Sequence, residues 1–565
     1  MTTPNILSAQ SLSLGRNDWF ALLGLALLCI VLRSTYALGF AGSDDAVIIT
    51  NAIRLLNEGM YLPTGHYNAR FGMIMPIAGV FSVFGIGLQQ ISLLPIALSV
   101  GITTVCYLTA RRIGLSLSFA LFAAAMTTLM PVFVQYGASN YPEIYFAFWV
   151  AVSFFILVCA IHNKDRNSLS PLILGLLFMS LFFAYMVKIE AVFICFGYAF
   201  AFALLKRWKD MAWVLLFVLL FFLYEDILVY YSETGKFFNR ADMVTAKSTK
   251  MAVNKAYGHA ELWTYLKAMF VTFYNFGLYF YFVVAAVIGL LLQKKKLPAV
   301  IIIALVSSAI FYGWLQFGTS PKGLIKFLTT GKLNNKSQLA RYLIMIAPFC
   351  SIFVAYFLAQ ISYSSKFKQY FPQAILVLSM VAFLPLNDIG NEVGLTYQQA
   401  VKKLSDQPDI KVVYTDRATY TYLRSVQQFG ELEHLSVQPI VHHNMQSGRS
   451  KVNPDFIWAG GYALIHKNRY LYHNRRYKVQ YPTLESMAIN GDKQILVANP
   501  ASSISYGILN TIKQVVILLG LEQNYIGQKV VHTADEALDP EDMLLIDVNR
   551  EHTDRLTYLD ATPAE

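Results

Sequence analysis

Long apolar runs alternate with short polar gaps over the first two-thirds of the chain, and after Asn387 the alternation stops. The first run covers residues 18 to 40, and others recur as far as Leu386. A run of about 20 residues is enough to cross a hydrocarbon core of roughly 30 Å. Basic residues fill the gaps at Arg111-Arg112, Lys164 to Arg166, Lys206 to Lys209, Lys294 to Lys296 and Lys366 to Lys368. Two runs separate each gap from the next, so all five lie on one side, the cytoplasmic side by the positive-inside bias. Spans are then predicted near 91–110, 114–134, 143–162, 170–188, 191–205, 211–231, 267–292, 298–317, 341–361 and 370–387. The tail from 388 falls on the outer face.

Phe71 to Leu88 is the exception, because Gly72, Gly79, Gly85, Gly87 and Pro76 interrupt its apolar run. If it crosses, the amino terminus is outside and Asp44-Asp45 are cytoplasmic; if it does not, the pair faces outward. Glycine and proline weaken a regular helix, which favours the non-spanning reading, a first outer loop over 41–90 and about eleven spans.

Inside that loop Asp45, Ile48, Ile49, Ala52, Ile53 and Leu56 keep helical spacing and Gly59 follows, so 45–58 is expected as a helix on the membrane surface. Ser43 or Asp44 would cap it. Free N–H groups and the helix dipole favour a carboxylate there, which accounts for one of the two aspartates and tolerates the other. A chemical role depends on company. Arg70 closes the same loop, Glu143 opens another outer loop, Lys188 and Glu190 sit at a third, and Arg341-Tyr342 begins a late span. Singly, each reads as a snorkelling or paired interfacial charge. Together they offer carboxylates for a base or metal and cations for a phosphate. The outer stretches Lys247 to Lys255 and Lys322 to Arg341 either meet an anion or are ordinary basic loops. Glu225 and Asp226, within an apolar run, are expected in a structural salt bridge, and His66, His434, His442 and His443 at the surface.

Composition agrees with a polytopic membrane protein: 565 residues, 56% hydrophobic and only 14% charged, against roughly 25% charged in soluble domains. The first run is long, contains Arg33 and leads into further spans, so it reads as an uncleaved anchor. The formal charge of +11 sits in the gaps between spans and marks topology, not nucleic acid. All five cysteines lie in apolar runs, without a disulfide framework or a CxxC site.

Residues 388–565 change character. Lys411 to Asp416, Lys493 to Ala498 and Met543 to Val548 read as buried strands, and Thr419 to Gln428 and Ser503 to Leu519 as helices. The pattern predicts a small α/β domain suited to acceptor recognition or scaffolding.

Ser43-Asp44-Asp45 after the first span, Arg70, Ala110-Arg111-Arg112, Tyr141-Pro142-Glu143 and Ala340-Arg341-Tyr342, in this order, resemble the C-type glycosyltransferase (GT-C) superfamily. The likeness is particularly to bacterial relatives of protein O-mannosyltransferases and the lipid A aminoarabinose transferase, over roughly residues 15 to 360. The resemblance implies a polytopic α-helical fold with an extracytoplasmic C-terminal α/β domain, set in a bacterial inner membrane with its site on the periplasmic side. It implies transfer of a sugar from a polyprenyl-phosphate donor to a hydroxyl of a glycan, lipid or protein, with Asp44 as catalytic acidic residue and Asp45 in support. Arg70, Lys188 and Arg341 would then meet the donor phosphate, and Glu143 and Glu190 the acceptor. Asp45 and Glu143 are also candidate oxygen ligands for Mg²⁺ or Mn²⁺. Asn68-Ala69-Arg70-Phe71-Gly72 stands where the closest relatives carry an HPP-type run, which leaves donor sugar and acceptor open. The rival reading is a secondary transporter or flippase for a lipid-linked or anionic substrate, a class that tends to show internal repeats, of which none is visible here.

Overall fold

The computed structural model describes residues 14–36, 40, 44–63, 67–161, 168–225, 263–270, 273–293, 296–317, 340–361, 366–444, 449–453, 461–466, 493–497 and 543–548. The expectations for Ser43, Asp226, His66, Lys164 to Arg166, Lys247 to Lys255, Lys322 to Lys336 and the helix 503–519 lie outside the described residues. The chain forms two compact units. The first takes residues 1–37, 51–80 and 92–387; the second takes 38–50, 81–91 and 388–565.

The first unit is helical. Its opening helices are α1 (Arg16–Tyr36), α2 (Asp44–Glu58), α3 (Phe71–Phe84), α4 (Leu88–Arg112), α5 (Leu117–Leu129), α6 (Pro131–Tyr136), α7 (Pro142–Ile161), α8 (Pro171–Val187), α9 (Ala191–Leu204) and α10 (Trp208–Leu223), of which α2, α3 and α4 are shared with the second unit. Among the described residues five helical segments are long and apolar enough to cross a membrane: Arg16–Ser34, Leu88–Arg112, Pro142–Ile161, Ala299–Gln316 and Ala340–Gln360. Six shorter apolar helices accompany them, including Phe71–Phe84. At 1.5 Å per residue α3 is about 21 Å long, short of the hydrocarbon thickness.

Several expected spans are broken, and proline stands at two of the breaks. The stretch 114–134 becomes α5 and α6, because Met130 precedes Pro131 and takes φ −56°, ψ 118° instead of helical angles. The stretch 341–361 begins as a 3₁₀ helix, Ala340–Ile346, before the α-helix Ala347–Gln360. Pro348 has no N–H to give the Ile344 carbonyl, and it sits in the first turn of the α-helix, where that N–H is not needed. At the other end of the helices, Arg111 of α4 bonds Asp18 of α1 at 2.7 Å and Tyr107 donates to the same carboxylate at 2.5 Å. One of the topology-setting arginines is therefore also a structural tie.

The second unit holds a mixed five-stranded sheet in the order β2-β1-β5-β7-β6, with β1 (Val412–Thr415), β2 (Ser436–Pro439), β5 (Gly461–His466), β6 (Lys493–Val497) and β7 (Met543–Val548). β1 runs parallel to β2 and β5; β7 runs antiparallel to β5 and β6. A separate antiparallel pair joins β3 (Val441–Asn444) to β4 (Arg449–Val452) and carries His442 and His443. The three expected strands are present as β1, β6 and β7, and the expected helix as Arg417–Gln427. The strands β2 to β5 are short or mixed in polarity, and pattern alone had left them unread. The helix Lys366–Ser405 runs on through the predicted boundary at 387.

Candidate active site

Three elements of the first unit converge on one carboxylate. Glu143 is the second residue of α7, where the helix N-terminus favours negative charge. It is fully buried. Lys188 ends α8 in an extended conformation, and its Nζ donates to Glu143 Oε1 at 2.9 Å. From the 3₁₀ turn, Arg341 Nε comes to 3.6 Å from Glu143 Oε2. One anion thus balances two cations, Lys188 buried and Arg341 largely so. Uncompensated charge at such depth costs several kcal/mol per ion, so the three groups depend on one another.

Aromatic faces complete the enclosure. The Lys188 ammonium lies 4.4 Å from the Tyr342 ring centre, and the Arg341 guanidinium 4.3 Å from that of Tyr141. Tyr136 packs edge-on against Tyr141 at 5.2 Å and holds its own face 5.7 Å from Arg341. Desolvated cation–π contacts of this kind contribute about 2 kcal/mol each. Beside them Tyr265 is wholly buried, with a hydroxyl that has no hydrogen-bond partner among the described residues.

Arg70 joins the cluster through a glycine. A Cβ at Gly72 would lie 2.8 Å from the Val187 amide nitrogen and 2.9 Å from the Phe183 carbonyl oxygen, so only glycine lets α3 approach the last turn of α8 so closely. Arg70, just ahead of α3, is thereby brought near enough for its charge to be felt by Lys188. Its guanidinium stacks on Tyr67 at 4.8 Å, and its buried Nη1 has no hydrogen-bond partner among the described residues. Glu190 is half-buried at the start of α9, within electrostatic reach of Lys188.

Of the predicted site residues, then, the first unit gathers Arg70, Glu143, Lys188, Glu190 and Arg341. Asp44 and Asp45 belong to the second unit. They form the first turn of α2, which ends at Gly59 (φ 78°), whose N–H closes on the Leu55 carbonyl at 3.0 Å. Asp45 is fully buried and Asp44 half-exposed. Ile48, Ile49 and Ala52 are also fully covered by protein, so the apolar face expected to lie on a membrane surface is a core face over the first turns of α2.

The structure departs from sequence reasoning at two points. The aromatic lining was not foreseen: Tyr141 and Tyr342 flanked charges that had been singled out, and Tyr136 and Tyr265 carried no signal at all. Glu225 accepts a hydrogen bond from Tyr185 at 2.5 Å, a partner that the charge pattern does not signal. As for a metal, both oxygens of Glu143 face cations, an arrangement that suits charge balance better than cation ligation. No cluster of three or more His, Cys, Asp or Glu able to hold an ion occurs among the described residues.

The apo crystal structure of ArnT from Cupriavidus metallidurans superposes with a TM-score of 0.50 at 13% identity, covering 81% of this chain and 95% of that one. The chain shares the fold of ArnT. Its residues 76–229 match the sequence model of the family described as dolichyl-phosphate-mannose-protein mannosyltransferase. ArnT bound to undecaprenyl phosphate gives a TM-score of 0.48 at 14% identity, over 83% of this chain and 96% of that one. The archaeal oligosaccharyltransferase AglB from Archaeoglobus fulgidus, in complex with an inhibitory peptide and a dolichol-phosphate, gives 0.49 at 12%, over 82% and 71%. No curated protein sequence matches the chain.

Proposed function

We propose that this protein is a membrane glycosyltransferase that moves a sugar from a polyprenyl-phosphate donor to an acceptor hydroxyl on the outer face of the membrane. The observation that carries the reading is the buried Lys188–Glu143–Arg341 cluster with Arg70 beside it, set in a C-type fold. The match of residues 76–229 to a family whose described donor is a lipid-phosphate sugar adds support. In this reading residues 1–387 form the catalytic membrane region and 388–565 an extracytoplasmic domain.

A polyprenyl-phosphate sugar leaves as a single phosphate. The acceptor oxygen attacks the anomeric carbon while the bond from that carbon to the phosphate oxygen breaks, and its electron pair departs with the phosphate. One displacement inverts the centre. Asp44, the half-exposed aspartate, takes the acceptor proton as general base. Asp45, buried behind it, supports that geometry. Arg70, Lys188 and Arg341 meet the charge that grows on the departing phosphate, in a low-dielectric setting where fixed cations act strongly. Glu143 holds Lys188 and Arg341 in place before the donor arrives, and Glu190 helps orient the acceptor.

The test is a transfer assay with purified protein and radiolabelled polyprenyl-phosphate sugars. Formation of a new glycosidic bond, lost in Asp44→Asn with donor binding retained, is expected. Translocation of the lipid without bond formation would point to a flippase instead.

A further inference from the structure

Phe40, four residues before Asp44, is almost completely buried, with its ring 5.3 Å from Tyr422 and 5.4 Å from Phe429. Tyr422 sits on the helix Arg417–Gln427 and in turn stacks on Tyr397 at 4.5 Å with the rings 20° apart. That helix is itself fixed to the sheet. Asp416, at the end of β1, accepts hydrogen bonds from the Thr419 amide at 3.3 Å and the Thr419 hydroxyl at 2.5 Å. Beyond the acidic pair, Thr50 donates to Gln428 at 2.8 Å. The first two turns of α2 are therefore held on both sides of Asp44-Asp45 by the same short stretch, 422–429. All of these residues belong to the second unit.

We infer that the C-terminal domain positions the catalytic carboxylates, with Phe40, Tyr422 and Phe429 acting as an aromatic clamp that fixes the first turns of α2. The inference rests on the functional reading above and assigns the domain a part in the reaction itself. Tyr422 is a positioning residue. Burial first, and the Asp45 carboxylate second, push its phenol well above the ordinary value, so the side chain stays neutral next to the acidic pair. Rings suit the task because each orders a large contact area with only two side-chain torsions. A general base needs its carboxylate held to about 0.5 Å, which an untied loop does not provide.

The experiment compares full-length Phe40→Ala, Tyr422→Ala, Tyr422→Phe and Thr50→Val in nanodiscs. It reads amide hydrogen exchange over residues 46–50, the affinity for undecaprenyl phosphate, and kcat with polyprenyl-phosphate sugars. Phe40→Ala and Tyr422→Ala are expected to speed exchange over 46–50 at least tenfold and to lower kcat about tenfold, with affinity changed less than twofold and exchange in α7 unaltered. Tyr422→Phe keeps the ring and is expected to retain exchange and kcat within threefold. Thr50→Val, at an exposed position that leaves the core intact, is expected to give a two- to threefold effect in the same direction, and it decides the matter if the alanine variants do not fold. Unchanged exchange over 46–50 in the clamp variants overturns the inference, as does a kcat equal to wild type. If Asp44→Asn still turns over, the base assignment fails, while the exchange data still judge the clamp.

Discussion

The two regions that carry the candidate chemistry are stabilised by opposite means. Around Glu143 the charges are held by each other: one carboxylate against Lys188 and Arg341, enclosed by tyrosine faces. Around Asp45 the carboxylate is buried next to an apolar and aromatic support, with Ile48, Ile49 and Phe40 covered and Tyr422 stacked on Tyr397. The difference suits the two tasks. In the proposed reaction, cations that receive a phosphate need a counter-ion while the site is empty, whereas Asp44 as base needs an accessible carboxylate on a rigid mount.

Breaking either region should show which means it uses. The largest effect is expected in catalysis: Asp44→Asn should lower turnover by about 10²- to 10⁴-fold in the transfer assay, the usual contribution of a general base. Asp45→Asn should cost less, because that residue supports rather than accepts the proton. Equal losses in the two variants would remove the distinction between them.

Next comes stability of the membrane unit. Glu143→Ala strands one buried and one largely buried cation and is expected to cost about 3–5 kcal/mol, read as a drop in thermal midpoint in detergent. Adding Lys188→Met to that variant should recover part of the loss. A double-mutant cycle with zero coupling would mean the two charges are held independently.

Smaller effects come from the backbone. Gly72→Ala places a methyl group against α8 and is expected to cost about 1–3 kcal/mol. It should also weaken undecaprenyl phosphate binding by moving Arg70, whereas a purely structural glycine would leave the affinity alone. Gly59→Ala forces a left-handed residue at the end of α2, expected at about 1 kcal/mol with little change in donor binding.

Much of this was legible from residue order. Helix α2 and its stop at Gly59 follow from apolar spacing and one glycine, both local signals. Charges in apolar surroundings stand out in any sequence, which is why Arg70, Glu143, Lys188 and Arg341 were found before their geometry. The aromatic lining was hidden for the converse reason. With 40 phenylalanines and 34 tyrosines in the chain, a single Tyr136 or Tyr265 is no signal. The breaks at Met130 and before Pro348 could have been read from proline alone, but hydropathy averages over them.

The sequence by itself determined the alternation of apolar and basic stretches, hence the membrane class, and the identity of the charged residues that a phosphate chemistry would need. Tertiary structure decided which of those charges neutralise each other and that Phe40 rests on Tyr422. Pairing and burial depend on the close approach of segments far apart in the chain, such as Glu143 with Arg341 or Thr50 with Gln428. No local pattern records that approach.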